Sequence, residues 1–184
     1  MWSYKVVNVV GSGDISRELD IDAVFQAVRE KIGATQVSNS IQWLKIAFRQ
    51  RAGTILLYRS GKYTIMGSDS EEELFRTNET FLELCVKLDI ITDTRNTSLR
   101  VSNYVYAVDI EKDVNLSHLD ILLGDEAEYE PEQFSYIVYR PSDIDCTMTI
   151  SASGKCVVNT PVGNGAVESV LERLIATIES TPVE

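Results

Sequence analysis

Alternating apolar and polar positions predict short strands in two separate stretches of the chain. The first stretch begins with a valine-rich strand predicted at residues 5–10, and the second with a strand predicted at residues 99–108, where Tyr104, Tyr106 and Val108 fall at every other position. Glycines at 53, 61 and 154 fall between successive strands, which favours tight antiparallel hairpins over crossover connections. The further strands are predicted at 41–50, 53–59 and 62–67 and then at 134–140, 144–151 and 154–159.

Helical periodicity follows the strands in the same order in both stretches. Helices with acidic starts are predicted at 20–31 and 115–123, and longer closing helices at 70–88 and 163–178. In the last of these, apolar residues recur on one face at helical spacing. The chain therefore contains the same set of elements twice.

Short sequence matches support this internal duplication. Residues 6–10 align with 101–105 at an offset of 95, and Asp14-Ile15 falls on Asp109-Ile110 without a gap. Further along, Ser60-Gly61-Lys62 matches Ser153-Gly154-Lys155, and Phe48-Arg49 matches Tyr139-Arg140. We predict two repeats, residues 1–95 and 96–184.

The pattern predicts an α+β fold in which two halves pair into one duplicated antiparallel sheet with pseudo-twofold symmetry. The helices cover one face of such a sheet. The other face is left bare, and a bare face of this size is typical of a surface on which a ligand or partner lies.

Composition narrows the class of protein and the chemistry it can perform. Hydrophobic residues make up 44% and charged residues 24% of the 184 residues, an ordinary globular mixture. We find no apolar run near the roughly 20 residues of a membrane span and no signal-peptide layout, so we expect a cytoplasmic protein without membrane contact. Three unpaired cysteines and one histidine predict no disulfide framework, metal site, cofactor or catalytic activity.

Charge is distributed unevenly between the repeats. Residues 1–95 contain 12 Lys and Arg against 13 Asp and Glu, a net charge of −1. Residues 96–184 contain 5 against 15, a net charge of −10. An acidic protein repels nucleic acid at long range, so composition alone argues against DNA binding.

Several short motifs nevertheless resemble the TATA-box-binding protein family. These are the asparagine in the first strand of each repeat (Asn8 and Asn103), the Ser-Gly-Lys hairpins, residues 129–134 (Tyr-Glu-Pro-Glu-Gln-Phe) and residues 137–140 (Ile-Val-Tyr-Arg). The resemblance spans about residues 4–180. It implies a saddle-shaped sheet with helices on the convex face and DNA in the concave face.

The resemblance implies binding of A·T-rich double-stranded DNA in the minor groove, with bending driven by inserted apolar side chains. Asparagine amides would donate to the acceptors at A·T pairs, apolar residues would lie on sugars and base edges, and cations would contact phosphates. The DNA-binding residues implied for the first repeat are Asn8, Val10, Trp43, Arg49, Leu56, Tyr58, Lys62, Thr64 and Met66. Those implied for the second repeat are Asn103, Val105, Phe134, Arg140, Thr149, Ser151, Lys155, Val157 and Asn159.

The sequence departs from the family pattern at several of these positions. Trp43, Tyr58, Phe134 and Ser151 stand where the family inserts phenylalanine, and the serine has no apolar surface to insert. Met66 and Asn159 replace the family's threonines beside the central asparagines. The basic residues of the first repeat are largely kept, whereas the second repeat keeps little beyond Arg140 and Lys155.

The resemblance also implies protein partners. Glu130, Glu132 and Gln133 lie in the loop that the family uses to contact transcription factor B, and RNA polymerase machinery would be recruited through that contact. Without such a partner, the same Glu-Pro-Glu sequence is typical of a solvated turn in which Pro131 fixes φ. The bare concave face also offers a surface for a homodimer.

Three hypotheses follow. The first is a general transcription factor of this family, from an archaeon with a salt-rich cytoplasm in view of the acidity, and associated with the nucleoid. The second is a divergent paralogue that has lost DNA binding and acts as a protein-interaction module or regulator, which the acidic second repeat favours. The third is the saddle domain of an enzyme such as a ribonuclease or glycosylase, although no catalytic set accompanies it.

Overall fold

A computed structural model describes residues 2–31, 36–48 and 53–180, and these contain ten strands and four α-helices. The helices are α1 Ile21–Lys31, α2 Glu71–Lys87, α3 Leu116–Leu123 and α4 Asn164–Glu179, with a short 3-10 turn at Gly124–Glu126. The strands are β1 Ser3–Asp14, β2 Gln36–Asn39, β3 Trp43–Ala47, β4 Thr54–Tyr58, β5 Lys62–Ser68, β6 Ser98–Asp109, β7 Ala127–Glu128, β8 Tyr136–Tyr139, β9 Thr147–Ser151 and β10 Lys155–Thr160.

The chain forms two compact units, which we call the first and the second because most of one precedes most of the other in sequence. The first unit is Val7–Ser102, and the second is Met1–Val6 together with Asn103–Glu184. The chain therefore passes between units within β1 and again within β6. The division of the sequence repeat between residues 95 and 96 stays a prediction.

The first unit is a two-layer arrangement of an antiparallel sheet and two helices. Its strands lie in the order β2-β3-β4-β5-β1. Burial alternates along them, so that on β4 Ile55 and Leu57 are buried while Thr54, Leu56 and Tyr58 are half-exposed. The buried set continues onto α2, where Leu74, Phe81 and Cys85 lie in the core. The helices therefore cover one sheet face, as the twofold periodicity of the strands requires.

The second unit repeats this arrangement. Its strands lie in the order β7-β8-β9-β10-β6, all paired antiparallel where pairing is given. Its core joins the inward residues of these strands to α3 and α4, including Leu119, Leu171 and Leu174. Trp2, Tyr4 and Val6 from the N-terminal segment pack against the same core. These apolar contacts supply most of the stability of such a layer, at about 25 cal/mol per Å² of apolar surface buried.

Helix α2 begins where its sequence provides a cap. The Ser70 hydroxyl accepts a hydrogen bond from the Glu73 N–H at 3.2 Å, and Glu71, Glu72 and Glu73 occupy the first turn. A serine cap satisfies a free backbone donor, and the carboxylates interact favourably with the positive end of the helix dipole.

Glycine is required at the same hairpin of both units. Gly61 has φ +83° and Gly154 has φ +76°, the left-handed region that other residues rarely adopt. Each glycine carbonyl accepts a hydrogen bond at 3.0 Å, from the Ile15 N–H in one unit and the Ile110 N–H in the other. The two matching Ser-Gly-Lys motifs therefore form the same type of turn in both units.

The α+β class, the antiparallel pairing and the helices on one sheet face are confirmed. The predicted helices and strands are all present, with ends shifted by a few residues. The sequence analysis did not predict the two edge strands, β2 and β7, which have four and two residues. No helix among the described residues combines the length and hydropathy needed to span a membrane.

Candidate nucleic-acid interface

The candidate interface is the sheet face of each unit that points away from its helices, which we call the open face. In the first unit it carries the predicted DNA-binding residues that the structure describes, each half-exposed or exposed and alternating with a buried neighbour. They are Asn8, Val10, Trp43, Leu56, Tyr58, Lys62, Thr64 and Met66. Arg49 lies outside the described residues. The strand register brings the others together, since Leu56 lies between Lys45 and Thr64, and Met66 lies opposite Thr54.

Two aromatic side chains lie side by side on the open face of the first unit. Trp43 on β3 is directly opposite Tyr58 on β4. Residues in such a position have Cβ atoms about 4.5–5.5 Å apart, so both rings belong to the same region of the open face. Flat side chains at this spacing are suited to lying against the edges and faces of bases.

The Asn8 side chain is held by the backbone of the neighbouring strand. Its Oδ1 accepts a hydrogen bond from the Gly67 N–H at 2.8 Å. The hydrogen bond lies beside a register shift between β1 and β5, at Val9 and Gly11, and Gly67 has φ +87°. This hydrogen bond orients the Asn8 amide, and no protein partner among the described residues engages its NH₂ group, which can donate to a ligand.

The open face of the second unit carries the corresponding residues of the second repeat. Asn103 and Val105 come from β6, Val157 and Asn159 from β10, and Thr149 from β9. Val157 lies between Ala107 and Thr149, and Asn159 lies between Val105 and Thr147. This surface is apolar and weakly polar, and Val157 is 42% exposed. From Tyr104 to Asp109 strand β6 pairs with β10 in a regular register, so this pairing lacks the shift found beside Asn8.

The aromatic positions of the two units do not correspond in the way the sequence predicts. Phe134 precedes β8 and is 47% exposed, with its ring centroid 5.2 Å from that of Tyr136. Tyr136 lies opposite Ser151, as Trp43 lies opposite Tyr58. In register, Tyr136 rather than Phe134 therefore corresponds to Trp43. Tyr136 is not among the residues that the resemblance implies, although the separations 43–58 and 134–151 differ by two residues, and a role for it in DNA binding is a prediction.

Ser151 makes its polar contacts within its own hairpin. Its hydroxyl donates to the Lys155 carbonyl at 2.9 Å and lies 3.0 Å from the Ser153 hydroxyl. A hydroxyl engaged in this way cannot replace an aromatic ring as a wedge. Among the described residues, the Tyr136–Ser151 pair of the second unit therefore has an aromatic ring on the β8 side and none on the β9 side.

The cations of the open faces have different surroundings in the two units. Lys155 forms an ion pair with Asp109, which lies directly opposite it on β6. The Lys155 ammonium holds the pKa of the Asp109 carboxyl below its ordinary value. Arg140 forms an ion pair with Glu128 at 3.2 Å. Lys62 makes no ion pair with any residue that the structure describes.

The predicted partner loop is an ordered turn before β8. The Glu130 carbonyl accepts hydrogen bonds from the N–H groups of Gln133 and Phe134, both at 2.9 Å. The Gln133 side-chain amide donates to the Glu130 carboxylate, and Glu132 is exposed. The turn therefore presents two carboxylates and an amide to solvent, whether or not a partner contacts them.

The thiols of the chain have the surroundings of core residues. Cys85, Cys146 and Cys156 are buried, and burial raises the pKa of these thiols to about 12, about 11 and about 12. A thiol with a raised pKa is a poor nucleophile near neutral pH. Within the described ranges, no three His, Cys, Asp or Glu side chains are placed to hold a metal ion.

Comparison with known proteins identifies the family. The model of the family described as transcription factor TFIID (or TATA-binding protein, TBP) matches residues 3–88 and 98–180. TATA-box-binding protein C of Halobacterium salinarum is 36% identical over 169 residues, which are 91% of this chain and 93% of that protein. TATA-box-binding protein 2 of Haloferax volcanii is 30% identical over 179 residues, covering 95% and 94% of the two chains.

A solved structure agrees with these sequence matches. The TBP of Methanococcus jannaschii superimposes with a TM-score of 0.75 at 26% identity, over 98% of this chain and 99% of that one. The matches extend over both units, and the relatives are archaeal. The chain belongs to the TATA-binding protein family of transcription factors, whose members bind DNA and are not enzymes.

Proposed function

We propose that the chain binds A·T-rich promoter DNA in the minor groove through the open face of each unit, bends it, and recruits a transcription factor B homologue and RNA polymerase. The observation that carries the proposal is the composition of the open faces. Each presents an asparagine amide among apolar side chains and short polar ones, beside at least one exposed aromatic ring. The relatives named TATA-box-binding proteins support the choice of an A·T-rich ligand.

The chemistry of the minor groove fits these side chains. At A·T pairs the groove offers only acceptors, whereas a G·C pair adds the guanine amino donor. The Asn8 amide, with its carbonyl engaged by the Gly67 N–H, offers donors to those acceptors. The Asn8 NH₂ group cannot form a hydrogen bond with the guanine amino group, because both groups are donors. Asn8 therefore favours A·T over G·C at the base pairs it contacts.

The first test is the anisotropy of a labelled A·T-rich duplex against a G·C-rich control, from low to multimolar salt. We expect preferential binding to the A·T-rich duplex, with each well-placed base contact contributing about 1–3 kcal/mol of discrimination. Asn8→Ala and Asn103→Ala should reduce the preference. Asn96→Ala, in the loop between α2 and β6, removes an amide away from the open faces and should leave the preference unchanged. Equal affinity for both duplexes at every salt concentration would refute the proposal.

Bending and recruitment are tested on the same complex. Energy transfer between dyes at the two duplex ends should rise when the protein binds, because a kink brings the ends closer. Adding a transcription factor B homologue should form a ternary complex that Glu130→Gln with Glu132→Gln weakens, and RNA polymerase should join only that complex. Unchanged energy transfer would refute bending. A ternary complex that forms with the same affinity when Glu130 and Glu132 are replaced would refute the role of the loop.

A second candidate function is a protein-interaction module that no longer binds DNA. The observation that favours it is the state of the second repeat, where Ser151 is engaged within its hairpin and the two cations of the predicted DNA-binding set, Lys155 and Arg140, are paired with carboxylates. This candidate requires a complex with the transcription factor B homologue that forms without DNA. A titration in which DNA is indispensable for that complex would count against it.

A homodimer through the open face is proposed for the protein without DNA. Val7, Met66 and Val157 are 41%, 37% and 42% exposed, and a second copy would remove such apolar side chains from water. Sedimentation should then show a dimer that dissociates when the A·T-rich duplex is added. A monomer at all concentrations would refute it.

A further inference from the structure

The open face of the second unit contains its own carboxylates beside its cations. Lys155 and Asp109 are cross-strand partners on β10 and β6, and their ammonium and carboxylate groups form an ion pair. Both side chains alternate with the buried Cys156 and Val108, so both lie on the open face. The Lys155 side chain is 66% exposed, which leaves it within reach of a ligand.

The second ion pair lies at the edge of the same sheet. Glu128 on β7 is directly opposite Val138 on β8, so the two side chains point to the same face. Val138 is half-exposed between buried Ile137 and Tyr139, which places Glu128 on the open face. The Glu128 carboxylate lies 3.2 Å from Arg140, and both side chains are more than half exposed.

Pairing of cations is general in this part of the chain. Residues 96–184 contain five Lys and Arg, and four of them are in ion pairs with carboxylates. The four pairs are Lys112–Glu179, Arg140–Glu128, Lys155–Asp109 and Arg173–Asp143. Only Lys155 and Arg140 are cations of the predicted DNA-binding set.

The first unit provides a comparison at equivalent positions. Lys62 lies opposite Asp14 as Lys155 lies opposite Asp109, yet the described residues provide no ion pair for Lys62. At the position of Glu128, the first unit has Ser38, opposite Lys45. Among the described residues, the two cations of the predicted DNA-binding set in the second repeat, Lys155 and Arg140, are both bound by carboxylates, whereas Lys62 in the first unit is not.

Phosphate and carboxylate compete for the same cation. An exposed ion pair is weak, so a phosphate can displace it, but the carboxylate that is left then lies beside the phosphate and repels it. DNA affinity falls with salt in proportion to the number of phosphates that the protein neutralises. A cation held by its own carboxylate contributes less to both quantities than a free one.

We propose that Asp109 and Glu128 act as internal competitors of DNA phosphate, holding Lys155 and Arg140 so that these two cations add little to the electrostatic part of DNA binding. The inference rests on the proposed function, because it concerns the same open face. It makes the two carboxylates determinants of affinity and of its salt dependence. Of the cations in the predicted DNA-binding set, Lys62 then contributes more to phosphate binding than Lys155 or Arg140.

The test is a gain of affinity, which a misfolded variant cannot mimic. Asp109→Asn keeps an acceptor for the Glu111 N–H but removes the negative charge beside Lys155. Glu128→Gln likewise removes the negative charge beside Arg140 and keeps a side-chain oxygen there. We expect each to tighten binding of the A·T-rich duplex about 1.5- to 5-fold at 0.1 M salt, the range expected for exposed ion pairs. The slope of log K against log salt should steepen, by at most about 0.9 for each cation released.

Two controls separate this effect from a general decrease in negative charge. Asp143→Asn removes the same charge from the pair with Arg173 on α4, on the helix side of the unit, and should change affinity less than Asp109→Asn. Asp109→Asn combined with Lys155→Met should bind no more tightly than the unaltered chain. Lys62→Met should lose more affinity and more salt slope than Lys155→Met.

The outcomes distinguish this inference from the proposed function. If the unaltered chain prefers the A·T-rich duplex and Asp109→Asn and Glu128→Gln behave like Asp143→Asn, the competitor role is refuted and the proposed function stands. If the unaltered chain shows no preference but both variants bind with steeper salt slopes, the competitor role is supported and the proposed function fails. Flat titrations for every chain refute both.

Discussion

At the residue scale, Gly61 and Gly154 show how tightly a single position can be constrained. A Cβ added to Gly154 would lie 2.2 Å from the Lys112 carbonyl oxygen, and one added to Gly61 would lie 2.1 Å from the Arg17 carbonyl oxygen. Both overlaps involve backbone, which cannot move aside without disturbing the hairpin. The positive φ adds a second, independent penalty for any side chain.

Replacing either glycine should therefore cost stability. We expect Gly154→Ala and Gly61→Ala each to lower the free energy of unfolding by at least about 2 kcal/mol, from backbone strain and overlap together. Urea unfolding followed by circular dichroism measures the decrease.

The matched control for the glycine variants is Gly165→Ala. Gly165 lies in α4, and an added Cβ there meets no atom within 4 Å. Alanine is the better helix former by up to about 1 kcal/mol, so this variant should be neutral or stabilising. Equal destabilisation at residues 154 and 165 would mean that the hairpin geometry is not what makes Gly154 necessary.

Residue-scale reasoning from the sequence located most of the open face but not its polar contacts. Thr64 and Val157, which the resemblance implies, do lie on the open face, because the period of a strand assigns each residue to a face; their contact with DNA stays a prediction. The hydrogen bond between Asn8 and Gly67 lies beside a register shift, and no local sequence pattern predicts that shift. The ion pair of Lys155 with Asp109 joins residues that are 46 apart in sequence, so no local pattern predicts it. The repeat alignment does show that Asp109 corresponds to Asp14 of the first repeat.

At the element scale, the cap of α2 makes a separate prediction. Ser70→Ala removes the acceptor of the Glu73 N–H, and we expect the free energy of unfolding to fall by about 1 kcal/mol. Ser70→Asp keeps a side-chain acceptor and should retain most of the stability. Thermal and urea unfolding of the three chains check the order, and a stable alanine variant would show that solvent satisfies this donor equally well.

The elements that sequence reasoning missed share a physical cause. Strand β7 has two residues and β2 four, which is too short for a period of two to be recognised. Both are edge strands, paired on one side only in their units. The longer elements were predicted because amphipathic repetition over a dozen or more residues, as in α2 and α4, is rarely found outside helices.

At the scale of the whole molecule, the net charge of −11 predicts that salt stabilises the fold. Self-repulsion among like charges opposes the compact state, and ions screen it. We expect the Tm to rise between about 0.05 and 0.5 M KCl, by about 2–4 °C for each kcal/mol gained. Scanning calorimetry checks this, with NaCl at equal ionic strength as a control for ion-specific effects. A Tm that stays constant or falls would contradict a dominant role for repulsion.

The assignment of residues 2–6 to the second unit has a consequence for the order in which the protein folds. The first unit, Val7–Ser102, is continuous in sequence and is complete once Ser102 has left the ribosome. The second unit takes Trp2, Tyr4 and Val6 from before the first unit and Leu171 and Leu174 from α4, after it. Such distant contacts close slowly. During synthesis, Trp2, Tyr4 and Val6 therefore remain without their core until α4 has been made.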